Sequence, residues 1–320
     1  MMARRAVLAM MGVGLLGAGR APVPPDVAPA VSALKITVLS TMLADEGLGE
    51  WGYAALVEVD GRRILFDTGA HADIVLRNAE ALKVDLSNIE TLIISHNHSD
   101  HTGGLVALRK AVMARNPAAL SICHVGAGVF EGRADAKGVA RNGLSPFREA
   151  YEALGGRFVE AAGPKMLAPG VWFTGPVPRT YPERNWSGAQ KLASGAEDTV
   201  PEDSSLVFDT PKGLVVLTGC GHAGVVNICE YARKIVRPAP IEALVGGIHL
   251  FAATDKTIGW TAERLKAMEV RHLLAGHCTG VEATYKLRDG LGLTRATAVV
   301  SAVGSAYDLA TGIAPGAIAA

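Results

Sequence analysis

The feature that most constrains this chain is the run His96-Asn97-His98-Ser99-Asp100-His101, set between the apolar segment Thr91 to Ser95 and the pair Gly103-Gly104. A short apolar run of that kind reads as a buried strand. Four ligand-type side chains within six positions at its end are poorly explained as solvated loop residues. His96 and His98, on alternate positions, can converge on one ion, while Asp100 and His101 turn toward a neighbouring one. Imidazole and carboxylate donors suit zinc, with manganese or iron also compatible, and catalytic zinc sites leave a position for water.

The surrounding pattern predicts an α/β fold. Lys35 to Ser40 reads as the first strand. Ala54 to Val59 and Arg62 to Phe66 flank Asp60-Gly61, a pair favoured in tight hairpin turns. A helix over Ala72 to Leu82, a helix from Gly104 toward Arg115, a strand Leu120 to Val125, a helix Phe147 to Leu154 and a strand Val171 to Thr174 follow. The second half repeats the plan. Ser205 to Asp209 and Leu214 to Thr218 form a second hairpin, then come helix Val225 to Val236, strand Glu242 to Val245, helix Thr257 to Met268 and strand His272 to Leu274. Both hairpins end in Thr-Gly, at Thr68-Gly69 and Thr218-Gly219. Two mixed β-sheets packed face to face with helices outside, an αββα sandwich, is the economical architecture. Gly175 to Asp203 has little periodicity and reads as a long loop, of a length that tends to be functional or disordered.

The histidine run after an apolar strand, preceded by Phe66-Asp67-Thr68-Gly69, resembles the metallo-β-lactamase superfamily from about Lys35 to Ser305. Gly49-Glu50-Trp51-Gly52, Leu217 to Gly224, Gly246-Gly247-Ile248-His249-Leu250 and Gly276-His277-Cys278-Thr279-Gly280 narrow the resemblance to its dihydropteroate-synthase-like, 7,8-dihydropterin-related branch. The resemblance implies a metal site, often binuclear, with His277 as the last histidine ligand and Asp67 steering the metal loop through hydrogen bonds. Two departures stand out. Gly175 to Arg179 offers no histidine where the superfamily has its third, and Cys220 stands where a bridging aspartate is usual. His222 is inferred to replace the missing ligand, with Gly221 freeing the backbone to turn its ring. The expected metal set is therefore His96, His98, Asp100, His101, His222 and His277, holding two divalent ions. Cys220 is read as a small buried neighbour in preference to a thiolate ligand, and His249 as a substrate or outer-shell group. His71, His124 and His272 are read as structural or exposed, and Asp203 stays open between cap, turn and site.

The expected chemistry is hydrolysis of an ester, lactone or phosphoester by a water ionised at the metals, with Asp100 orienting it. Arg179, Tyr181, Arg184, Trp186 and Lys191 in the long loop would suit an anionic or planar small molecule, or a plain surface loop. An iron-binding redox protein of the same fold, a non-catalytic metal binder and a dihydropterin-type transferase are the competing readings. β-Lactam hydrolysis is disfavoured by the two departures.

Composition bears on partners and location. The 31 basic and 31 acidic residues cancel, which gives no footprint for nucleic acid. Arg4-Arg5, the apolar run Ala6 to Ala18 and the small residues to Ala21 describe a secretory signal peptide over residues 1–21, loosely of twin-arginine type. Residues 22–34 form a Pro-rich linker and 35–320 the metallo-β-lactamase-fold domain. The mature protein is expected to be periplasmic or secreted, without stable membrane insertion. The four cysteines fit no disulfide framework, and Cys123 and Cys229 read as small hydrophobes.

Overall fold

The structure is a computed structural model that describes residues 31–186 and 188–319. The expected leader, residues 1–21, lies outside the described residues. Among the described residues no helix is long and apolar enough to cross a membrane.

The strands are β1 Leu34–Ser40, β2 Ala54–Val59, β3 Arg62–Phe66, β4 Thr91–Ile94, β5 Ile122–Gly126, β6 Arg133–Ala134, β7 Arg157–Ala161, β8 Lys165–Ala168 and β9 Val171–Phe173. They continue as β10 Lys191–Leu192, β11 Leu206–Thr210, β12 Gly213–Thr218, β13 Ile241–Gly246, β14 His272–Ala275, β15 Ala298–Val300, β16 Ala306–Asp308 and β17 Gly312–Ala314. The α-helices are α1 Ile74–Ala81, α2 Ser99–Thr102, α3 Leu105–Met113, α4 Arg148–Ala153, α5 Val225–Ile235, α6 Asp255–Ala267 and α7 Val281–Leu291.

One sheet has the order β17-β16-β1-β2-β3-β4-β5-β7, the other β15-β14-β13-β12-β11-β9-β8. Each sheet is mixed. β3, β4, β5 and β7 run parallel, as do β12 to β15, while the hairpins β2–β3 and β11–β12 are antiparallel. Asp60 and Gly61 both take positive φ, the geometry of the expected hairpin turn.

Burial follows the layers. β12 and β13 are buried at every position, as strands covered on both faces must be, and both are apolar through their centres. The middle core joins the sheets through Ile36, Val57, Phe66, Phe173, Phe208, Val215 and Val245. A second core packs β12–β14 against α5, α6 and α7, and a third packs β2–β5 against α1, α3 and α4. This is the αββα sandwich. β7 and β8, which the sequence pattern did not single out, are half-exposed and carry Arg157, Glu160 and Lys165, so no apolar period marks them.

The sandwich puts the chemistry in one place. Asp67 follows β3, His96 follows β4, Cys220 and His222 follow β12, His249 follows β13 and His277 follows β14. All five segments leave carboxyl ends of strands in the parallel parts of the sheets, where α/β folds build ligand sites.

Candidate metal centre

Asp67 anchors the site. Its Oδ1 accepts from the Ser95 amide at 2.7 Å, and its Oδ2 accepts from Ser95 Oγ at 2.7 Å and pairs with His101 Nδ1 at 2.7 Å. Ser95 Oγ in turn lies 2.9 Å from His96 Nδ1. One buried carboxylate therefore orients two imidazoles so that each presents its Nε2 inward, the outer-partner arrangement that fixes metal-binding histidines. Asp67, His249 and His277 all take left-handed backbone with φ of 57°, 47° and 49°. Such strain in non-glycine residues gathers at functional sites, where the surrounding packing enforces it.

Two donor groups meet at Cys220. Donor atoms of Asp100, His101, Cys220 and His277 lie within 4.8 Å of one another, and so do those of His96, Cys220 and His222. His101 Nε2 is 3.1 Å from Cys220 Sγ and 3.3 Å from His277 Nε2. Asp100 Oδ2 is 3.2 Å from His277 Nε2. The His98 ring lies 4.6 Å from that of His96 and 4.8 Å from that of His222, beside the first group. His222 is turned inward with Gly221 at φ 64°, and its Nδ1 meets the Asn185 carbonyl. Cys220 thus occupies the junction of the two groups, the place of a thiolate ligand, which the sequence alone ranks second to a small buried neighbour.

The donors fit cations. His96 Nε2 and His222 Nε2 are buried without any hydrogen-bond partner, an expensive arrangement that a metal would relieve. Burial, then the neighbouring rings of His101 and His98, holds His96 well below the usual imidazole range. Burial does the same for His222, with His98 and His249 adding to it. Burial lowers His98 to about 4, against the pull of Asp100. These rings are neutral at pH 7, the form that ligates. Burial opposes charge on His101, but Asp67 and Asp100 outweigh it and raise this ring to about 9. Burial raises the Asp100 carboxyl, but His101 and His277 outweigh it and hold Asp100 well below the carboxylate range.

The remaining expected residues divide. His249 stacks on His222 with centroids 4.4 Å apart and lines a cavity of about 770 Å³ together with Arg184, Trp186, Phe251, Lys256 and Trp260. Arg179 does not face that cavity. Its Nη2 donates to the carbonyls of Thr199, Val200 and His222, tying the long loop to the metal segment. Lys191 lies in β10, paired with β6, and the Tyr181 hydroxyl accepts from Arg264 at 2.7 Å. His124 is largely buried between the sheets, whereas His71 pairs with Glu50 at 2.7 Å and His272 with Glu242. Asp203 is buried, with Oδ2 accepting from the Ala223 amide at 2.8 Å, and burial raises it to about 7.

Several site groups escaped sequence reasoning. Glu202 accepts from the Asn97 amide at 3.3 Å and pairs with buried Arg133, so it braces the metal loop from 105 residues away in sequence. Glu50 accepts from the amides of Ala70 and His71 and from Ser40 Oγ, clamping the turn after Asp67. Only the acidic residue within Gly49-Glu50-Trp51-Gly52 hinted at that clamp.

The metallo-beta-lactamase superfamily model matches residues 52–233, which span β2 through most of α5. The chain belongs to this superfamily. It is 31% identical over 267 residues to the 7,8-dihydropterin-6-methyl-4-(beta-D-ribofuranosyl)-aminobenzene-5'-phosphate synthase of Methanocaldococcus jannaschii, covering 79% of this chain and 90% of the relative. Among solved structures it is similar to Tm1679, a metal-dependent hydrolase of the beta-lactamase superfamily, with 25% identity, a TM-score of 0.66 and coverage of 81% of this chain and 93% of the other. Zinc-bound PqqB from Methylobacterium extorquens shares the fold at 14% identity and TM-score 0.52, over 86% of this chain and all of the other (100%). With the donor groups above, the chain is a metal-dependent hydrolase of the metallo-β-lactamase superfamily with a binuclear metal-binding site for divalent ions such as zinc.

Proposed function

We propose that this hydrolase cleaves an ester, lactone or phosphoester in a small molecule that joins a planar apolar part to a negative charge. The carrying observation is that two donor groups share Cys220 beside a cavity walled by Trp186, Phe251 and Trp260, with Lys256 and Arg184 at hand. We assign one ion to His96, His98 and His222 and the other to Asp100, His101 and His277, with Cys220 between them as a thiolate. Burial pushes the Cys220 thiol up, so its proton leaves only when a cation takes its place.

The bound ions would supply Lewis-acid activation of water and of the scissile oxygen. The protein's own groups do the rest. Asp100, a carboxylate at any working pH, is too weak a base to take a proton and instead orients the attacking water by accepting from it. Asp67 keeps His101 and His96 aimed inward. His249, at the cavity end of the histidine cluster, contacts the substrate, and the aromatic walls exclude water from the apolar part.

A turnover screen over phosphodiesters, lactones, aryl esters and thioesters, with metal content measured in parallel, tests this reading. Turnover of at least one class, lost on chelation and restored by zinc, is expected. Fully loaded protein that turns over none of them refutes it. Iron in protein purified without added metal, with oxygen- or thiol-dependent redox turnover, would instead favour the redox alternative.

The identity to the archaeal synthase favours a second reading, in which the same site passes the activated group to an acceptor other than water. Product analysis with and without added acceptor separates the two. We also propose that residues 1–21 direct export to the periplasm or beyond. N-terminal sequencing of protein from its own host should find a mature start close to Val23, and an intact Met1 or Met2 in the cytoplasm contradicts this.

A further inference from the structure

Beside the two donor groups lies a third, in which the proposed hydrolysis leaves Cys278 without a role. Donor atoms of Cys220, His249 and Cys278 lie within 4.8 Å of one another. Cys278 sits on the turn His277–Thr279 that follows β14, and its Sγ lies 3.6 Å from the Cys220 carbonyl and within reach of the Cys220 and His249 side chains. The turn is fixed from both sides, since Ile248 N donates to Thr279 Oγ1 at 3.1 Å and Phe251 N donates to the Cys278 carbonyl at 3.1 Å.

The neighbourhood is shaped around that thiol. A Cβ on Gly247 would stand 2.8 Å from Cys278 Sγ and 2.3 Å from the Gly219 carbonyl oxygen, so only glycine leaves room for the sulfur there. His249, two residues on, is held at φ 47°, and its Nδ1 is buried with no hydrogen-bond partner. The strained His249 backbone, its buried unpartnered nitrogen and the Gly247 contact with the sulfur all lie in one neighbourhood. His249 also lines the 770 Å³ cavity, so that neighbourhood is reached from the substrate side.

We propose that Cys220, Cys278 and His249 form an additional, thiolate-rich cation position at the edge of the cavity, which takes a soft divalent ion such as zinc or cadmium. Two sulfurs and one imidazole are a donor set that zinc accepts with a fourth position left open, and soft donors favour soft metals. The position shares Cys220 with the binuclear centre, so it rests on that assignment, and a sulfur bridge makes the sharing possible. An ion there stands against His249 at the cavity wall and obstructs substrate. Excess zinc therefore inhibits, while the binuclear ions stay in place.

Cadmium titration of the metal-free full-length protein, followed by thiolate-to-cadmium absorption and by equilibrium dialysis, tests this. Wild type should bind two tight equivalents and then a weaker third, with added thiolate absorption at the third. Cys278→Ser and His249→Ala should each keep the two tight equivalents and lose the third, and Cys278→Ser should in addition lose inhibition by excess zinc. A third equivalent that persists in folded His249→Ala and Cys278→Ser overturns the proposal, as does its absence from wild type. Failure of wild type to hold the two tight equivalents would overturn the binuclear reading instead, so the two failures are distinct.

Discussion

Replacing Asp67 with alanine removes the acceptor that three groups share: the Ser95 amide, Ser95 Oγ and His101 Nδ1, each at 2.7 Å. Asp67 and Ser95 are fully buried, so water cannot step in. Ser95 Oγ still accepts from His96 Nδ1 at 2.9 Å and its hydroxyl proton is free to rotate, but the Ser95 amide and His101 Nδ1 are orphaned. Each orphaned donor costs about 1–3 kcal/mol, or about 2–6 kcal/mol together. Alanine at φ 57° adds about 1–2 kcal/mol of left-handed strain, which asparagine tolerates better. Loss of such an outer partner weakens metal binding about 10- to 100-fold. The loss should fall on the ion beside His101, because that ring pairs with Asp67 directly, whereas His96 is reached only through Ser95. Chelator competition resolves the two ions, and urea unfolding of the metal-free protein reads stability. Asp67→Ala should lose both affinity and stability, and Asp67→Asn, which keeps one acceptor, should lose less of each. A folded Asp67→Ala protein with both ions bound as tightly as in wild type would show that Asp67 does not hold the metal-binding rings in place.

Two further outcomes follow from the same geometry. His222→Ala should lose metal and turnover as severely as His98→Ala, while His249→Ala keeps its two tight ions but loses activity; metal analysis beside steady-state kinetics checks both. In the metal-free protein, His101 is raised to about 9, so its contribution to stability is complete below about 6.5 and is lost as pH rises through about 9. His98, lowered to about 4, acts in the opposite sense and destabilises the metal-free fold as pH falls from about 6.5 toward 4. Urea midpoints across pH 4 to 10 should fall at both ends, and in Asp67→Asn the alkaline fall should shrink.

The sandwich was legible because β2, β3, β11 and β12 carry hairpin turns and because β4, β12 and β13 are apolar runs. The histidine run marked its own strand end, and the missing third histidine pointed to His222. What the sequence hid depends on contacts between distant segments. Glu202 looks like any loop acid until the fold lays it under Asn97, and Cys278, next to His277 in sequence, gives no sign of meeting Cys220 until β14 and β12 bring the two segments together. Arg179 suggested a substrate cation because charge is visible in a sequence and carbonyls are not; its guanidinium serves the backbone of Thr199, Val200 and His222. β7 and β8 were hidden because edge strands need bury little.

In the proposed centre two ions share Cys220, with His222 standing in for a histidine absent from Gly175 to Arg179. Anomalous diffraction at the metal edge from crystals of the loaded protein tests it most directly. Two ions are expected, one bonded at about 2.0–2.1 Å to His96 and His222, the other bonded to His101 and His277, with Cys220 Sγ at about 2.3 Å from both. A single ion, or two ions with either the His222 ring or the Cys220 sulfur outside bonding distance, rules this arrangement out.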